Sequence, residues 1–203
     1  MVDRYPENIV SAWEHEAKPL ELHRAAGLIA SEPSRALPIL LELANEGSLL
    51  SMYFLGDTCL YGRGIQLDVE GGLSWLGKAA SGGLIEAAYA LAFHYRTNGE
   101  TDRAKVELLK LGERGFSPAW HTLAKMYYYG NGVEKDKFQA VEYWKRAEAC
   151  GHLYAKRNLS VVMRSENEIC ITKIRGFAKL LMVMFPFVYY QVQYKDSDRI
   201  RDW

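Results

Sequence analysis

Residues 118–159 read PAWHTLAKMYYYGNGVEKDKFQAVEYWKRAEACGHLYAKRNL. The run Ala119, Leu123-Ala124, Tyr127, Gly130-Asn131-Gly132, Asp136, Ala140, Trp144, Ala147, Gly151 within them finds itself again elsewhere in the chain. With Gly151 as phase mark, counterparts stand at Gly115, Gly83 and Gly47, separated by 36, 32 and 36 residues. Four residues past each mark is a small residue, Ser51, Ala87, Ala119 or Ala155, and four further on comes a leucine followed by a small residue: Leu55-Gly56, Leu91-Ala92, Leu123-Ala124, Leu159-Ser160. Eleven residues before the marks lie Ala36, Gly72, Ala104 and Ala140. A period of about 20 to 50 residues points to stacked units rather than one globular core.

Ala119, Leu123 and Tyr127 are four apart and form one stripe on a helix. Ala140, Trp144 and Ala147 form a second stripe after a turn. Two short amphipathic helices cannot bury both stripes alone and gain stability by stacking on the next pair. Gly62-Arg63-Gly64 and Gly130-Asn131-Gly132 supply the positive φ that ends a helix. Asp68 and Asp136 follow at the same offset and open the next helix, Asp136 forming a capping box with Gln139. Ser117 reads as the cap of another helix with Pro118 at its first position.

This pattern resembles the Sel-1-like repeat family, tetratricopeptide-related helix pairs with the signature A-x-x-x-L-G-x-x-Y-x-x-G-x-G, then D, then A-x-x-W/Y-x-x-x-A, then G. The unit from Ala119 matches almost throughout. The unit from Ser51 to Gly83 carries Ser51 for alanine and Cys59 for the tyrosine, and the unit from Ala87 to Gly115 is four residues short with Asn98-Gly99 in place of Gly-x-Gly. The resemblance covers roughly residues 33–160 and implies an all-α, right-handed superhelix (solenoid) of stacked antiparallel helix pairs. It divides the chain into an N-terminal helical cap with a degenerate repeat (1–46), three repeats (47–160) and a C-terminal apolar helix with a charged tail (161–203).

The 25 basic and 25 acidic residues cancel, which argues against a nucleic-acid partner. Cys59, Cys150 and Cys170 are an odd number without a C-x-x-C pair, so neither a metal ribbon nor a disulfide framework is expected. The start carries Asp3 and Glu7 and no apolar run, so a cytoplasmic protein, alternatively held at the inner face of the membrane, is the expectation. His15 and His23 stand eight apart with Pro19 between them, which does not hold both on one helix face, and they read as surface histidines rather than metal ligands. The glycine pairs recur in phase between helices and read as turns, not phosphate cradles. No G-x-S-x-G, H-E-x-x-H or Walker lysine is present, so neither an enzyme nor a cofactor is expected.

Toward the N-terminus, residues 6–17 and 20–30 read as helices, and 33–45 as the second helix of a degenerate repeat that starts near Arg35 or kinks at Pro38. Residues 165–168 read as a capping box opening a further helix. Residues 176–190, GFAKLLMVMFPFVYY, are apolar all round the wheel but short of the ~20 residues a span needs. Two readings stay open. The segment caps the last repeat, or it lies in a membrane interface through Phe177, Lys179, Leu181, Phe185 and Tyr189, with Lys173 and Arg175 toward headgroups and Tyr190 and Tyr194 at the boundary.

In each first helix the face left over by the packing stripe runs through the second, sixth and ninth positions after the small residue. That gives Tyr53, Asp57 and Leu60; Tyr89, Phe93 and Arg96; His121, Lys125 and Tyr128. The resemblance implies that first helices line a concave groove, so these nine are the candidate partner-binding residues, with Tyr89 and Phe93 alternatively extra core. The expected function is a non-enzymatic scaffold or adaptor holding a protein or peptide. The alternative is a membrane-surface accessory or immunity-type protein that assembles or neutralises an envelope or secreted partner.

Overall fold

The structure, a computed structural model, describes residues 9–165, 179–180 and 182 of the 203-residue chain. Among the described residues there are ten α-helices and no strand: α1 (Ile9–Glu14), α2 (Pro19–Leu28), α3 (Pro33–Asn45), α4 (Leu49–Tyr61), α5 (Val69–Ser81), α6 (Ile85–Thr97), α7 (Thr101–Glu113), α8 (Ser117–Tyr129), α9 (Lys137–Ala149) and α10 (Leu153–Ser165). The helices from α3 to α10 are 13 residues each. Thirteen residues rise only about 20 Å, and no helix among those described is long and apolar enough to cross a membrane. The chain divides into two compact units, residues 1–98 and 99–203.

The phase glycines acquire a physical reason. Each of Gly47, Gly83, Gly115 and Gly151 sits just past the end of a helix with φ between 86° and 104°. The residue after it donates its N–H back to the last turn: Ser48 to Leu43 O at 3.0 Å, Leu84 to Ala79 O at 3.1 Å, Phe116 to Leu111 O at 3.0 Å, His152 to Ala147 O at 3.0 Å. This is the Schellman closure, which demands a left-handed residue that only glycine adopts without strain. One conformational requirement, met four times, sets the period.

In unit 1, α4 and α5 cross where both lack a side chain. A Cβ on Gly72 would lie 2.7 Å from Leu60 N and 2.9 Å from Gly56 O, and one on Gly56 would lie 2.6 Å from Leu76 Cγ. The helices therefore meet backbone to backbone, and Leu40, Leu50, Leu55, Leu60 and Leu76 close around the crossing. The tip between the two helices turns on Gly62 (φ 59°) and Gly64 (φ 71°), and Asp68 accepts from Gly71 N at 2.9 Å to start α5. In unit 2 the same plan holds α8 against α9. Gly130 and Gly132 turn the tip, Asp136 accepts from Gln139 N at 3.0 Å, and Trp120 stacks on Tyr143 with ring centroids 5.6 Å apart. Gly112 of α7 leaves room for the Trp120 ring.

Two local expectations are corrected. α3 starts at Pro33 rather than near Arg35 and accommodates Pro38 inside it. Pro38 and Ser34 both lie on the exposed side, where water satisfies the carbonyl that proline cannot bond. Ser117 is not the cap of α8 but its first residue, fully buried; the extended Phe116 (φ −73°, ψ 96°) takes the cap position without a side-chain bond. α10 carries the fourth set of phase residues and continues to Ser165. The helix expected beyond it, and the ring of apolar residues from 176 to 190, lie outside the described residues apart from Lys179, Leu180 and Met182.

Candidate functional site

Six of the nine residues singled out for partner binding fall in unit 1, on α4 and α6, which touch one another. Tyr53 and Asp57 of α4 and Phe93 and Arg96 of α6 are half-buried, each offering part of its side chain to solvent. Leu60 and Tyr89, exposed by only 4% and 5%, belong to the core and offer a partner almost nothing. In unit 2, Lys125 and Tyr128 of α8 are half-buried, whereas His121 is 2% exposed. The reason is crowding: α8 is buried along nearly its whole length, so the strip left open is narrower than the wheel predicts.

The open strip of unit 1 has its own electrostatics. Arg63 Nε donates to Asp57 Oδ2 at 3.0 Å, and the Arg63 guanidinium lies 5.8 Å from the Tyr61 ring centroid. The Asp57 side chain retains 24% of its exposure. Burial pushes its carboxyl above the ordinary carboxylate range, and Arg63 pulls it part of the way back. The Arg96 guanidinium lies 4.8 Å from the Phe93 ring centroid, a flat cation-on-ring pair that presents both an apolar face and N–H donors. Arg96 Nε is itself buried and makes no hydrogen bond to the protein, so whatever Arg96 offers a partner comes from the outer part of its guanidinium.

Two aromatic residues belong to the same face though neither carries the expected offset. Phe54, next to Tyr53 with ring centroids 5.5 Å apart, packs against Trp13 of α1 at 6.3 Å. Trp13 in turn meets the His23 ring of α2 edge-on at 6.2 Å. His23 is exposed, as expected of a surface histidine, yet it has an aromatic neighbour. The clue available in the sequence was Trp13 itself, a large apolar side chain on a helix too short to have its own core. The turn from α1 to α2 is fastened by polar contacts: Ser48 Oγ donates to Glu16 Oε2 at 2.6 Å while accepting from Ser51 N at 3.1 Å, and Lys18 pairs with Glu46 at 2.7 Å.

In unit 2 the Tyr128 ring leans on Trp144 at 5.0 Å and on Tyr129 at 5.0 Å. His121 stacks on His152 at 4.5 Å with Tyr154 6.4 Å away. His152 Nδ1 accepts from Ala155 N at 3.2 Å and so caps α10. Of the residues assigned to a membrane interface, Phe177, Leu181, Phe185 and Tyr189 lie outside the described residues. Lys179 lies within them, and its Nζ is 3.5 Å from Glu148 Oε2 of α9. Among the described residues no three His, Cys, Asp or Glu side chains converge as metal ligands, and Cys59 and Cys150 are thiols.

The family model of the Sel1 repeat matches residues 49–84 and 122–152. Over these two stretches the chain carries Sel1 repeats. The matched stretches are α4–α5 with their turns and most of α8–α9, the two pairs with Gly-x-Gly tips. Among solved structures the Sel1-repeat chain is similar to a Sel1 repeat protein from Oxalobacter formigenes, at 20% identity and a TM-score of 0.63 over 79% of this chain and 71% of that one. It is also similar to a protective antigen of uropathogenic Escherichia coli with an SLR fold, at 16% identity and a TM-score of 0.60 over 91% of this chain and 44% of that one. The likeness shows the all-α solenoid fold; this chain spans less than half the length of the second relative. An immunity protein from Pseudomonas aeruginosa aligns at a TM-score of 0.45 and 17% identity over 80% of each chain, a likeness too loose to bear on function. No curated protein matches the chain significantly.

Proposed function

We propose that this Sel1-repeat chain is a non-catalytic scaffold that binds a protein or peptide partner on the open strip of its first helices. Sel1-repeat proteins generally bind protein partners, and the observation that carries the reading here is the pairing of Phe93 with Arg96 beside α4, which bears Tyr53 and Asp57. Aromatic and arginine side chains are the residue types that dominate interface energies, the aromatics because they bury much area for little lost rotamer freedom and arginine because its planar guanidinium both stacks and donates several hydrogen bonds. Asp57 and Arg96 supply the charges that select among partners at the edge of the contact on unit 1.

The test is capture of binding proteins from a native extract of the source cells by the wild-type chain and by Phe93→Ala combined with Arg96→Ala, with identification by mass spectrometry and titration of the purified partner. Truncating a hot-spot pair weakens affinity by about 2 kcal/mol or more, at least 30-fold, while a half-buried strip contributes little to folding. Unchanged affinity for the captured partner would falsify the assignment, and so would a collapse of the variant's fold.

A further inference from the structure

The touching first helices α4 and α6 are poor in charge. Along the 13 residues of α4 only Asp57 is charged. α6 carries Glu86, His94 and Arg96, and Glu86, at the opposite end of the helix from Arg96, is 2% exposed. The arginines collect at one end. α5 returns between α4 and α6, so the two run in the same direction, and the C-terminal end of each holds an arginine against an aromatic ring. Arg63, just past α4, lies 5.8 Å from the Tyr61 centroid, and Arg96 lies 4.8 Å from that of Phe93. Arg63 pairs with Asp57 through Nε at 3.0 Å, which leaves its two Nη groups at the outer edge of a side chain 55% exposed. Tyr61 is 44% exposed, and Phe93 and Arg96 are half-buried. Two guanidiniums therefore stand against one carboxylate whose side chain keeps 24% of its exposure.

We propose that this end of the unit 1 face binds an acidic segment of a protein partner, its aspartate or glutamate carboxylates set against Arg63 and Arg96 and a neighbouring apolar side chain set against Tyr53. The inference rests on the binding role proposed above and adds the partner's chemistry. Charge decides it. A partner that covered both guanidiniums with apolar groups would strip water from their N–H donors and return nothing, and a charged donor left buried without an acceptor is strongly destabilising. A lysine or arginine brought there would add like-charge repulsion. A carboxylate removes both penalties, and its two oxygens fit the planar fork of a guanidinium that already lies against a ring. Packed helices have axes about 8–10 Å apart and an extended chain advances about 3.3 Å per residue. Acidic residues about two to four positions apart therefore span the two arginines. Tyr53, whose ring adjoins Phe54, precedes Asp57 by one turn of α4, so the apolar anchor belongs on the far side of Asp57 from Tyr61.

The experiment presents the immobilised full chain, as wild type, Arg63→Gln and Arg96→Gln, to a display library of random dodecapeptides. Wild-type selections are expected to be enriched in aspartate and glutamate beside an aromatic or aliphatic residue, and depleted of lysine and arginine. The strongest peptide, labelled with fluorescein and titrated by anisotropy, should bind either variant at least about ten-fold more weakly than wild type. Replacing its acids by the corresponding amides should cost as much, and raising salt from about 50 to about 300 mM should weaken wild-type binding. Arg96→Lys should recover only part of the loss, because an ammonium keeps the charge without the flat fork. Circular dichroism checks that each variant is folded; should Arg96→Gln fail to fold, Arg63→Gln, altered at an exposed side chain, decides by itself. Selections that yield no acidic enrichment, selections rich in lysine and arginine, or an acidic peptide that both variants bind as tightly as wild type each overturn the proposal. If selections lack acids while Phe93→Ala with Arg96→Ala still abolishes partner capture, the binding strip stands and only its acidic preference falls.

Discussion

The crossing of α4 and α5 allows the same substitution to be made twice in one helix with opposite expected signs. At Gly72 an added Cβ would meet backbone atoms of α4: Leu60 N at 2.7 Å, Gly56 O at 2.9 Å and Leu60 Cα at 2.9 Å. Ordinary carbon contacts begin near 3.5 Å, so the helices must separate by several tenths of an ångström, and backbone cannot yield as a flexible side chain does. Separation would loosen the contacts of Leu76, which is fully buried. Overpacking of a tight core costs about 1–3 kcal/mol, and a backbone clash belongs at the upper end; replacing glycine by alanine in a helix returns about 1 kcal/mol. Gly72→Ala is therefore expected to destabilise by about 2 kcal/mol, the difference between those two terms. At Gly77, five residues along α5, a Cβ meets nothing within 4 Å, and the same change is expected to stabilise by about 1 kcal/mol. At about 2–4 °C per kcal/mol for a chain of this size, Gly72→Ala should melt about 4–8 °C lower and Gly77→Ala about 2–4 °C higher than wild type, read by circular dichroism at 222 nm with urea midpoints as a check. A Gly72→Ala chain that melts at or above wild type would show that the crossing is not the close approach described here.

Asp57 offers a pH test. Its folded carboxyl is raised by burial, with Arg63 opposing, so over a window above the ordinary carboxylate range the native chain keeps a proton that the unfolded chain has released. Stability is then highest below that range and falls as pH rises through the folded value, because the native state must come to hold a partly buried charge. Asparagine removes the fall, so the urea midpoint of Asp57→Asn relative to wild type should rise between pH 4 and pH 7; a relative drop over that interval would mean that the Arg63 pair outweighs burial. For the C-terminal segment, the Lys179–Glu148 contact favours attachment to unit 2 over lipid. The full chain is expected to remain at the bottom of a liposome flotation gradient at physiological salt, and a chain ending at Ser165 to melt at lower temperature. Flotation of the full chain alone would establish the membrane reading.

The helix pairs were legible in the sequence because the features that define them are local. A glycine forced to positive φ, an aspartate that caps the next helix and a leucine at a fixed offset leave the same trace each time they recur, and Gly47, Asp68 and Leu55 act as their spacing implies. The binding strip was legible only in part because exposure is set by neighbours distant in sequence. The wheel places Tyr53, Leu60, Tyr89 and His121 on one kind of face, yet the last three are covered. Their burial follows from the closeness of neighbouring helices, which the glycine contacts control and which no single helix's pattern encodes. Trp13 and Phe54 were missed for the complementary reason: their meeting is a contact between elements about 40 residues apart that share no repeat phase.

The residue after each phase glycine brings local chemistry and packing into direct competition. Ser48, Leu84, Phe116 and His152 all occupy the position that opens a first helix, where a polar side chain could bond a free N–H. Ser48 and His152 do so, bonding Ser51 N and Ala155 N, while Leu84 and Phe116 make no such bond and are buried. A cap contributes about 1 kcal/mol, whereas burying a leucine or phenylalanine contributes about 1.5–3 kcal/mol. Wherever the position is covered, the apolar residue is the better choice, and the polar one prevails only where packing offers less or where one side chain does both. His152 is the second case: its ring is buried on His121 while its Nδ1 holds the first turn of α10. A polar residue therefore stands at this position either where it is only half-buried, as at Ser48, or where one buried side chain both packs and caps, as at His152.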